Sequence, residues 1–229
     1  MVLALLLSRS GVSVTVLEQA TTFAREFRGE VLQPGATRIL GDLGLRDRIL
    51  ALSGGFPVGI DIQRNREVIS LDFPPAFAST QGGRIAVVPQ QQFLEVLAAD
   101  AAQRANFKLT MGCSVRELLL DSHAVVGVRA QLRSGEPVAL RARIVVACDG
   151  RFSAVRRAAG IELREKPIPF DLLWFSTPIP SGLSNRVYVR ITHNQLLSHS
   201  PAAATECKSD GSSIKANMPG YAPNRSSTL

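Results

Sequence analysis

"RIVVACDGRFSAVRRAAGI", residues 143–161, joins an unbroken apolar run to an acid–glycine pair and a short helical segment. The run Ile144–Cys148 is typical of a strand that is covered on both faces. It stops at Asp149–Gly150, after which Ser153 is suited to cap a helix and Gly160 to end it. An acid, a glycine and a helix N-terminus therefore meet at the carboxyl end of a parallel-type strand, where open α/β sheets bind ligands.

The beginning of the chain predicts a helix that leads into a strand. Residues 1–10 contain helix formers, Gly11 suits the left-handed residue that ends a helix, and "VSVTVLE" alternates up to Glu18. In a dinucleotide-binding βαβ unit, an acid about 20 residues past a glycine-rich turn accepts hydrogen bonds from a ribose. Counting back from Glu18 places those glycines before Met1. An ordinary helix–strand pair with an acid at the strand end explains the same stretch, and both interpretations stay open here.

The middle of the chain alternates between helical and strand patterns. A helix from about Pro34 to Leu43 and a second short helix precede short alternating segments in residues 56–88, which predict a small antiparallel insertion. "PQQQFLEVLAADAAQRAN" then predicts a helix, because proline stands at its start and the apolar residues form one stripe. The turns at 121–123 and 134–137 predict a three-stranded antiparallel meander before the strand at residue 144.

Composition and charge limit the classes of function. The chain has 229 residues, 45% of them hydrophobic, and a formal net charge of +7, so it can bury a core of one or two domains. The basic residues are scattered and aromatic residues make up only 6%, which disfavours a nucleic-acid partner. Anionic ligands such as cofactor phosphates explain the basic excess equally well.

The sequence contains little that indicates a catalytic nucleophile, a metal site or a membrane segment. The three cysteines are far apart and show no metal-ligand spacing, which favours a reduced, cytoplasmic setting without a metal site. The apolar opening of the chain has the length of a buried helix rather than of a signal peptide or a membrane span. The three histidines have no partner at useful spacing, so we expect no catalytic side chain.

Four stretches in order carry a resemblance to a known family. Glu18 after its strand, Arg28–Gly29 in "FRGEVLQPG", the "PQQQFLEVL" helix and "ACDGRFSAVRRAAGI" resemble the FAD-dependent aromatic hydroxylases related to para-hydroxybenzoate hydroxylase. The resemblance covers about residues 1–190. It implies an α/β fold: a Rossmann-like FAD-binding domain with an antiparallel β meander and an incomplete substrate-domain sheet.

The resemblance also implies roles for individual residues. Glu18 would accept the adenosine ribose hydroxyls, Arg28 and Gln90 would lie near the phosphates and ribityl chain, and the backbone near Val115 would pass the adenine. An acid–glycine–arginine fingerprint would bind FAD and the nicotinamide cofactor; its members are Asp149, Gly150 and Arg156. A solvated arginine at position 28 and a helix-cap glutamine at position 90 are the plainer interpretations.

In the family that the chain resembles, FAD carries the chemistry. Reduced by NADPH or NADH, the flavin reacts with dioxygen to a C4a-hydroperoxyflavin that hydroxylates a small aromatic, phenolic substrate. Two other classes remain open: another FAD-dependent oxidoreductase of the halogenase or reductase type, and a non-catalytic remnant that binds no flavin. The sequence indicates neither the substrate nor the oligomeric state.

The chain also departs from this family. The first strand and its glycine-rich turn are not present, and after Ile191 the sequence contains no valine and no phenylalanine, which predicts an irregular tail and a chain truncated at both ends. The predicted division has five segments. These are a first FAD-binding segment (1–55), a β insertion (56–88), a second FAD-binding segment (89–165), the start of the substrate-domain sheet (166–190) and a disordered tail (191–229).

Overall fold

The computed structural model describes residues 1–24, 31–75, 84–166, 170–178, 185–192, 195–201 and 206–214. The chain divides into two compact units, each made of two segments. Unit 1 comprises Met1–Glu26 and Gln90–Lys166, and unit 2 comprises Phe27–Pro89 and Pro167–Leu229. In the described part of the chain, no helix is long and apolar enough to cross a membrane. The same residues contain no cluster of His, Cys, Asp and Glu that could hold a metal ion.

Five helices and thirteen strands are assigned within the described residues. The helices are α1 (Val2–Arg9), α2 (Pro34–Asp42), α3 (Arg46–Leu50), α4 (Gln90–Ala101) and α5 (Ala154–Ala158). The strands are β1 (Val14–Glu18), β2 (Val31–Leu32), β3 (Gly59–Arg64), β4 (Glu67–Asp72), β5 (Ala86–Val87), β6 (Phe107–Met111), β7 (Cys113–Asp121), β8 (Ala124–Leu132), β9 (Pro137–Arg141), β10 (Phe170–Pro178), β11 (Val187–Ile191), β12 (Gln195–Pro201) and β13 (Glu206–Ile214). The helices predicted near residues 1, 34, 46, 90 and 154 are all present.

Unit 1 is built on a parallel strand pair flanked by helices. β1 pairs with β6 in parallel, so Glu18 lies beside Met111 at the carboxyl ends of both strands. α1 and α4 bury their apolar stripes, with Leu5 and Leu97 both fully buried. Gly11 ends α1 at φ +81°, a left-handed conformation that favours glycine.

An ion-pair cluster ties the two long helices of unit 1 together. Asp100 on α4 accepts hydrogen bonds from Arg9 at 3.0 Å and from Arg104 at 2.9 Å. Burial raises the pKa of the Asp100 carboxyl, but these bonds outweigh it and hold the pKa below its ordinary value. Asp100 therefore stays ionised between two arginine side chains.

The predicted meander is confirmed. β7, β8 and β9 pair antiparallel in that order. At Gly127 the strands approach so closely that an added Cβ would lie 2.1 Å from the Leu140 carbonyl oxygen. Its φ of +155° adds a second reason for glycine at this position.

The apolar run after the meander is not a strand, contrary to the prediction. Residues 144–150 have no strand assignment, and Ile144 and Val146 are 78% and 56% exposed. A strand needs a neighbour for its backbone hydrogen bonds, and the sheets of the described residues place none beside this run. Apolarity alone therefore predicted the burial wrongly.

Unit 2 contains a six-stranded sheet in the order β10-β13-β12-β11-β3-β4. β3 and β4 form the predicted hairpin, and β3 also pairs in parallel with β11. The segment around Val87 does not join this hairpin. β5 pairs with β2 in a separate two-stranded sheet instead, where Val87 and Val88 are buried. The insertion predicted for residues 56–88 thus divides between two sheets.

In the β11–β3–β4 part of this sheet, where paired residues project to the same side, one side is mostly polar and the other mostly apolar. On the polar face, Arg186 donates to Asp61 at 2.8 Å and to Asp72 at 2.6 Å. Tyr188 donates to Gln63 on the same face. The opposite face carries two aliphatic rows, Leu71–Ile60–Val187 and Ile69–Ile62–Val189.

Two strands lie where the composition predicts an irregular tail. β12 pairs with β11 and β13, and β13 also pairs with β10. Backbone hydrogen bonds of an antiparallel sheet do not require alternating side chains, so the polar composition was a poor guide here. Residues 215–229, which the sequence predicts to be disordered, lie outside the described residues.

Candidate cofactor site

Glu18 stands at the carboxyl end of the parallel pair β1–β6. Its side chain is half-buried, and Oε1 accepts a hydrogen bond from the Ala20 backbone N–H at 2.9 Å. The Ala20 carbonyl in turn accepts from Gly112 N–H, which follows β6, at 2.8 Å. The carboxylate therefore orders the turn after β1 at the sheet edge where α/β proteins bind ligands.

Gln90 is the first residue of α4. Its Oε1 atom is buried and has no hydrogen-bond partner among the described residues. A buried amide oxygen without a donor costs free energy, so this position favours a ligand that supplies one. The neighbouring glutamine, Gln91, is exposed and donates to Glu95 at 2.9 Å, and it provides a natural comparison.

Val115, predicted to lie near an adenine, is half-buried on β7. It pairs with Ala130, and the register of β7 against β8 shifts between Val115 and Glu117. Such an irregularity changes the direction in which neighbouring side chains and backbone groups point. The structure supplies no contact that assigns this residue a ligand.

The acid–glycine pair forms the entry to α5. Asp149 accepts a hydrogen bond from the Ser153 hydroxyl and another from the Val155 backbone N–H at 3.2 Å. Ser153 itself caps the helix, since its Oγ accepts from Arg156 N–H at 2.9 Å. Gly150 makes the turn between them at φ +81°. The predicted cap at Ser153 is confirmed, and Asp149 stabilises that cap.

The same contacts set the charge of Asp149. Burial raises its pKa, but the hydrogen bonds from Ser153 and from backbone N–H groups outweigh burial, and the pKa lies below its ordinary value. Asp149 is thus a carboxylate near neutral pH. Its two oxygens already serve this local network, so we assign it first to holding the helix entry in place.

Arg156 follows on α5 and lines a pocket. Its Nη1 donates to the Arg151 carbonyl at 3.0 Å, while its Nε is buried and has no partner in the described part of the chain. The pocket has a volume of about 700 Å³ and lies between the meander and the segment 143–161. Its wall includes Leu118, Val125, Arg143, Ile144, Asp149, Gly150 and Arg156.

The structure brings three of the seven predicted site residues to one pocket. Asp149, Gly150 and Arg156 line it, whereas Glu18, Gln90 and Val115 belong to the same unit but not to its wall. Arg28 lies outside the described residues. The meander residues Leu118 and Val125 were missed, because no local pattern indicates that they face the helix entry.

Comparison with known proteins identifies the family. The model of the FAD binding domain family matches residues 1–206. The chain belongs to the FAD binding domain family. FAD is the cofactor of this family, and the resemblance read from the sequence is confirmed.

Individual relatives are monooxygenases. The chain is 31% identical over 194 residues to 6-methylpretetramide 4-monooxygenase of Streptomyces rimosus, covering 81% of this chain and 44% of that protein. It is 31% identical over 159 residues to squalene monooxygenase of Mus musculus, covering 68% and 27%. The chain thus spans less than half the length of these two relatives.

A solved structure shows the same fold. The crystal structure of p-nitrophenol 4-monooxygenase PnpA from Pseudomonas putida DLL-E4 superimposes with a TM-score of 0.82, at 18% identity, over 95% of this chain and 56% of that one. The predicted fold class is therefore confirmed: an α/β FAD-binding fold with an antiparallel meander and small, incomplete sheets.

The residues present suit FAD chemically. The orphaned Gln90 Oε1 is an acceptor for a ribityl or ribose hydroxyl, and the orphaned Arg156 Nε is a donor for an anionic group. The Glu18 carboxylate at a sheet edge suits a diol. Each of these two unsatisfied buried atoms, one on α4 and one on α5, matches a type of group that FAD carries, a hydroxyl or a phosphate.

Proposed function

We propose that this protein is an FAD-dependent monooxygenase that hydroxylates a small aromatic substrate with NADPH or NADH and dioxygen. The observation that carries the proposal is the family match over residues 1–206. The similarity to 6-methylpretetramide 4-monooxygenase over 81% of the chain supports the reaction class and the ring substrate. Bound FAD would supply the hydride acceptor and the site where dioxygen is activated.

The chain's own residues would bind and orient the cofactor. Glu18 would accept the ribose hydroxyls, Gln90 would accept from a hydroxyl of the ribityl chain, and Arg156 would donate to an anionic group. Asp149 and Gly150 would keep the entry of α5 in the geometry that presents Arg156. Arg28 and the backbone near Val115 remain predicted contacts to the phosphates and the adenine.

A reducing, cytoplasmic setting is part of the proposal. Cys113 is buried and Cys148 exposed, and both are free thiols. Burial raises the pKa of the Cys113 thiol, which keeps it protonated and unreactive near neutral pH.

Flavin titration tests cofactor binding. We expect FAD to bind with quenching of its fluorescence, and Gln90→Ala to weaken binding about 2- to 10-fold, because one hydrogen bond is worth about 0.5–1.5 kcal/mol. Gln91→Ala is the matched control and should leave the dissociation constant unchanged. A folded chain that takes up no FAD would contradict the proposal for this chain.

Glu18 needs a variant that separates its two roles. Glu18→Gln keeps an oxygen for the Ala20 N–H but removes the charge, whereas Glu18→Ala removes both. We expect both variants to bind FAD more weakly and only the alanine variant to lose thermal stability. An FAD affinity that is unchanged in both variants would remove Glu18 from the site.

Substrate class is tested by coupled NAD(P)H oxidation with product analysis. Phenols and squalene are offered separately to the FAD-loaded protein, since a squalene monooxygenase is among the relatives. We expect a phenol to stimulate NADH or NADPH oxidation and to gain one oxygen atom. Epoxidation of squalene without turnover of any phenol would support the monooxygenase class and overturn the aromatic substrate.

A further inference from the structure

β4 forms the edge of the six-stranded sheet, and three of its six exposed side chains are large and apolar. Val68, Ile69 and Leu71 are 55%, 58% and 50% exposed, and all six residues of the strand are exposed. The described strands pair with β4 only on its β3 side. Natural sheets protect such edges with charged residues, proline or bulges. β4 carries charged residues only at its two ends, Glu67 and Asp72, contains no proline and pairs with β3 without a bulge.

We propose that β4 pairs antiparallel with β4 of a second copy of this chain, about a two-fold axis at Ile69. This inference is independent of the proposed enzymatic function. A symmetric pair buries the same patch on both copies, as closed dimers do. The two six-stranded sheets would then join edge to edge.

The faces of the two sheets match only in certain registers. With Ile69 opposite Ile69, the aliphatic row Val189–Ile62–Ile69 continues directly into the same row of the second copy. A slip by one residue would set Ile69 opposite Ser70 and join the apolar face of one sheet to the polar face of the other. The apolar face therefore stays continuous in the proposed register.

Charge selects the same register. On the polar face, Asp61 and Asp72 both contact the guanidinium of Arg186, and the Asp72 side chain is 83% exposed. Ile69 on the axis places Arg66, in the turn before β4, opposite Asp72 of the other copy, so each copy supplies a second cation to the other's Asp72. The slip by one residue would instead place Glu67 opposite Asp72, and like charges directly opposite each other destabilise a sheet.

Sedimentation velocity of the full chain over a range of concentrations tests the interface. We expect a concentration-dependent dimer, and a monomer for Ile69→Lys, with the circular dichroism spectrum unchanged. Leu120→Lys is the matched control, because Leu120 is 64% exposed on β7 in unit 1 and should leave the dimer intact. Arg66→Asp should weaken the dimer about two- to fivefold, as expected for an exposed ion pair.

Cross-linking tests the register. Residues directly opposite in an antiparallel pair have Cα atoms about 4.5–5.5 Å apart, which suits a disulfide. In a background with Cys148 and Cys207 replaced by serine, Ile69→Cys should form a disulfide-linked dimer on mild oxidation and Ser70→Cys should not. A monomeric chain, an Ile69→Lys variant that still dimerises, or cross-linking at position 70 in place of 69 would each overturn the proposal.

Discussion

The hydroxyl group of Ser153 makes two hydrogen bonds at the N-terminus of α5, and removing it should destabilise unit 1. Ser153 is buried, accepts from Arg156 N–H at 2.9 Å and donates to Asp149. Ser153→Ala removes both bonds together. The Asp149 carboxylate then keeps only its backbone donors at the start of the helix.

The magnitude follows from the two lost bonds. An N-cap serine is worth about 0.5–2 kcal/mol, and a hydrogen bond to a charged group about 1.5–3 kcal/mol. Because one hydroxyl makes both bonds, the two losses do not simply add. We expect Ser153→Ala to lower the free energy of unfolding by about 2–3 kcal/mol.

Urea denaturation followed by circular dichroism measures the effect. Ser134→Ala is the control, because Ser134 is an exposed turn residue that only accepts from Glu136 N–H at 3.4 Å. Asp149→Ala should cost a similar amount, and the double variant should cost less than the sum by about 1 kcal/mol or more. If Ser153→Ala lowers the free energy of unfolding by no more than Ser134→Ala does, the capping role is refuted.

Three further predictions concern stability. Gly127→Ala should unfold the meander or prevent expression of folded protein, because its Cβ would meet the Leu140 carbonyl oxygen at 2.1 Å; near-wild-type melting would contradict this. Leu97→Ala should lower the free energy of unfolding by about 2–5 kcal/mol, measured by urea denaturation, because Leu97 is fully buried; a loss below about 1 kcal/mol would mean that the core collapses around it. Burial raises the pKa of the Asp100 carboxyl, but the hydrogen bonds from Arg9 and Arg104 outweigh burial and hold the pKa below its ordinary value. The carboxylate therefore stabilises the folded state above about pH 4, and this stabilisation is lost as the pH falls through the folded-state pKa. Asp100→Asn should therefore flatten the fall of the urea midpoint between about pH 5 and pH 2, and an unchanged pH profile would contradict this.

Elements with local signals were predicted well from the sequence. Gly11 and Gly160 end their helices with left-handed φ values, and Ser153 caps α5, as their residue types indicate. The three-stranded meander was predicted correctly from the lengths and residue types of its turns. In each case the deciding interaction lies within a few residues along the chain.

Elements that depend on distant partners were predicted less well. Nothing near Val87 indicates that its strand pairs with residues 31–32, and nothing near Ile144 indicates that it lacks a neighbouring strand. Apolarity predicts a preference for burial, whereas pairing depends on which strands meet in space. A sequence pattern carries the first kind of information and not the second.

In the candidate site, too, local features were predicted better than features that depend on distant residues. Asp149 was predicted to be a cofactor ligand, but its contacts show a carboxylate that stabilises the N-terminus of α5. Ser153, four residues later, was the residue in the sequence that indicated this capping role. The orphaned atoms of Gln90 and Arg156 became visible only in three dimensions, because burial is not a property of residue type. The seven predicted cofactor contacts remain predictions.

The parallel pairing of β3 with β11 has a consequence for how the chain folds. Arg186 bonds Asp61 across 125 residues, so during synthesis the hairpin is made long before its partner strand leaves the ribosome. Closing so long a loop carries a high entropic cost, and contacts of large sequence separation form slowly. The last residue of unit 1 is Lys166, so this unit can fold before β11 is made and leave the hairpin exposed to chaperones or to other chains until then.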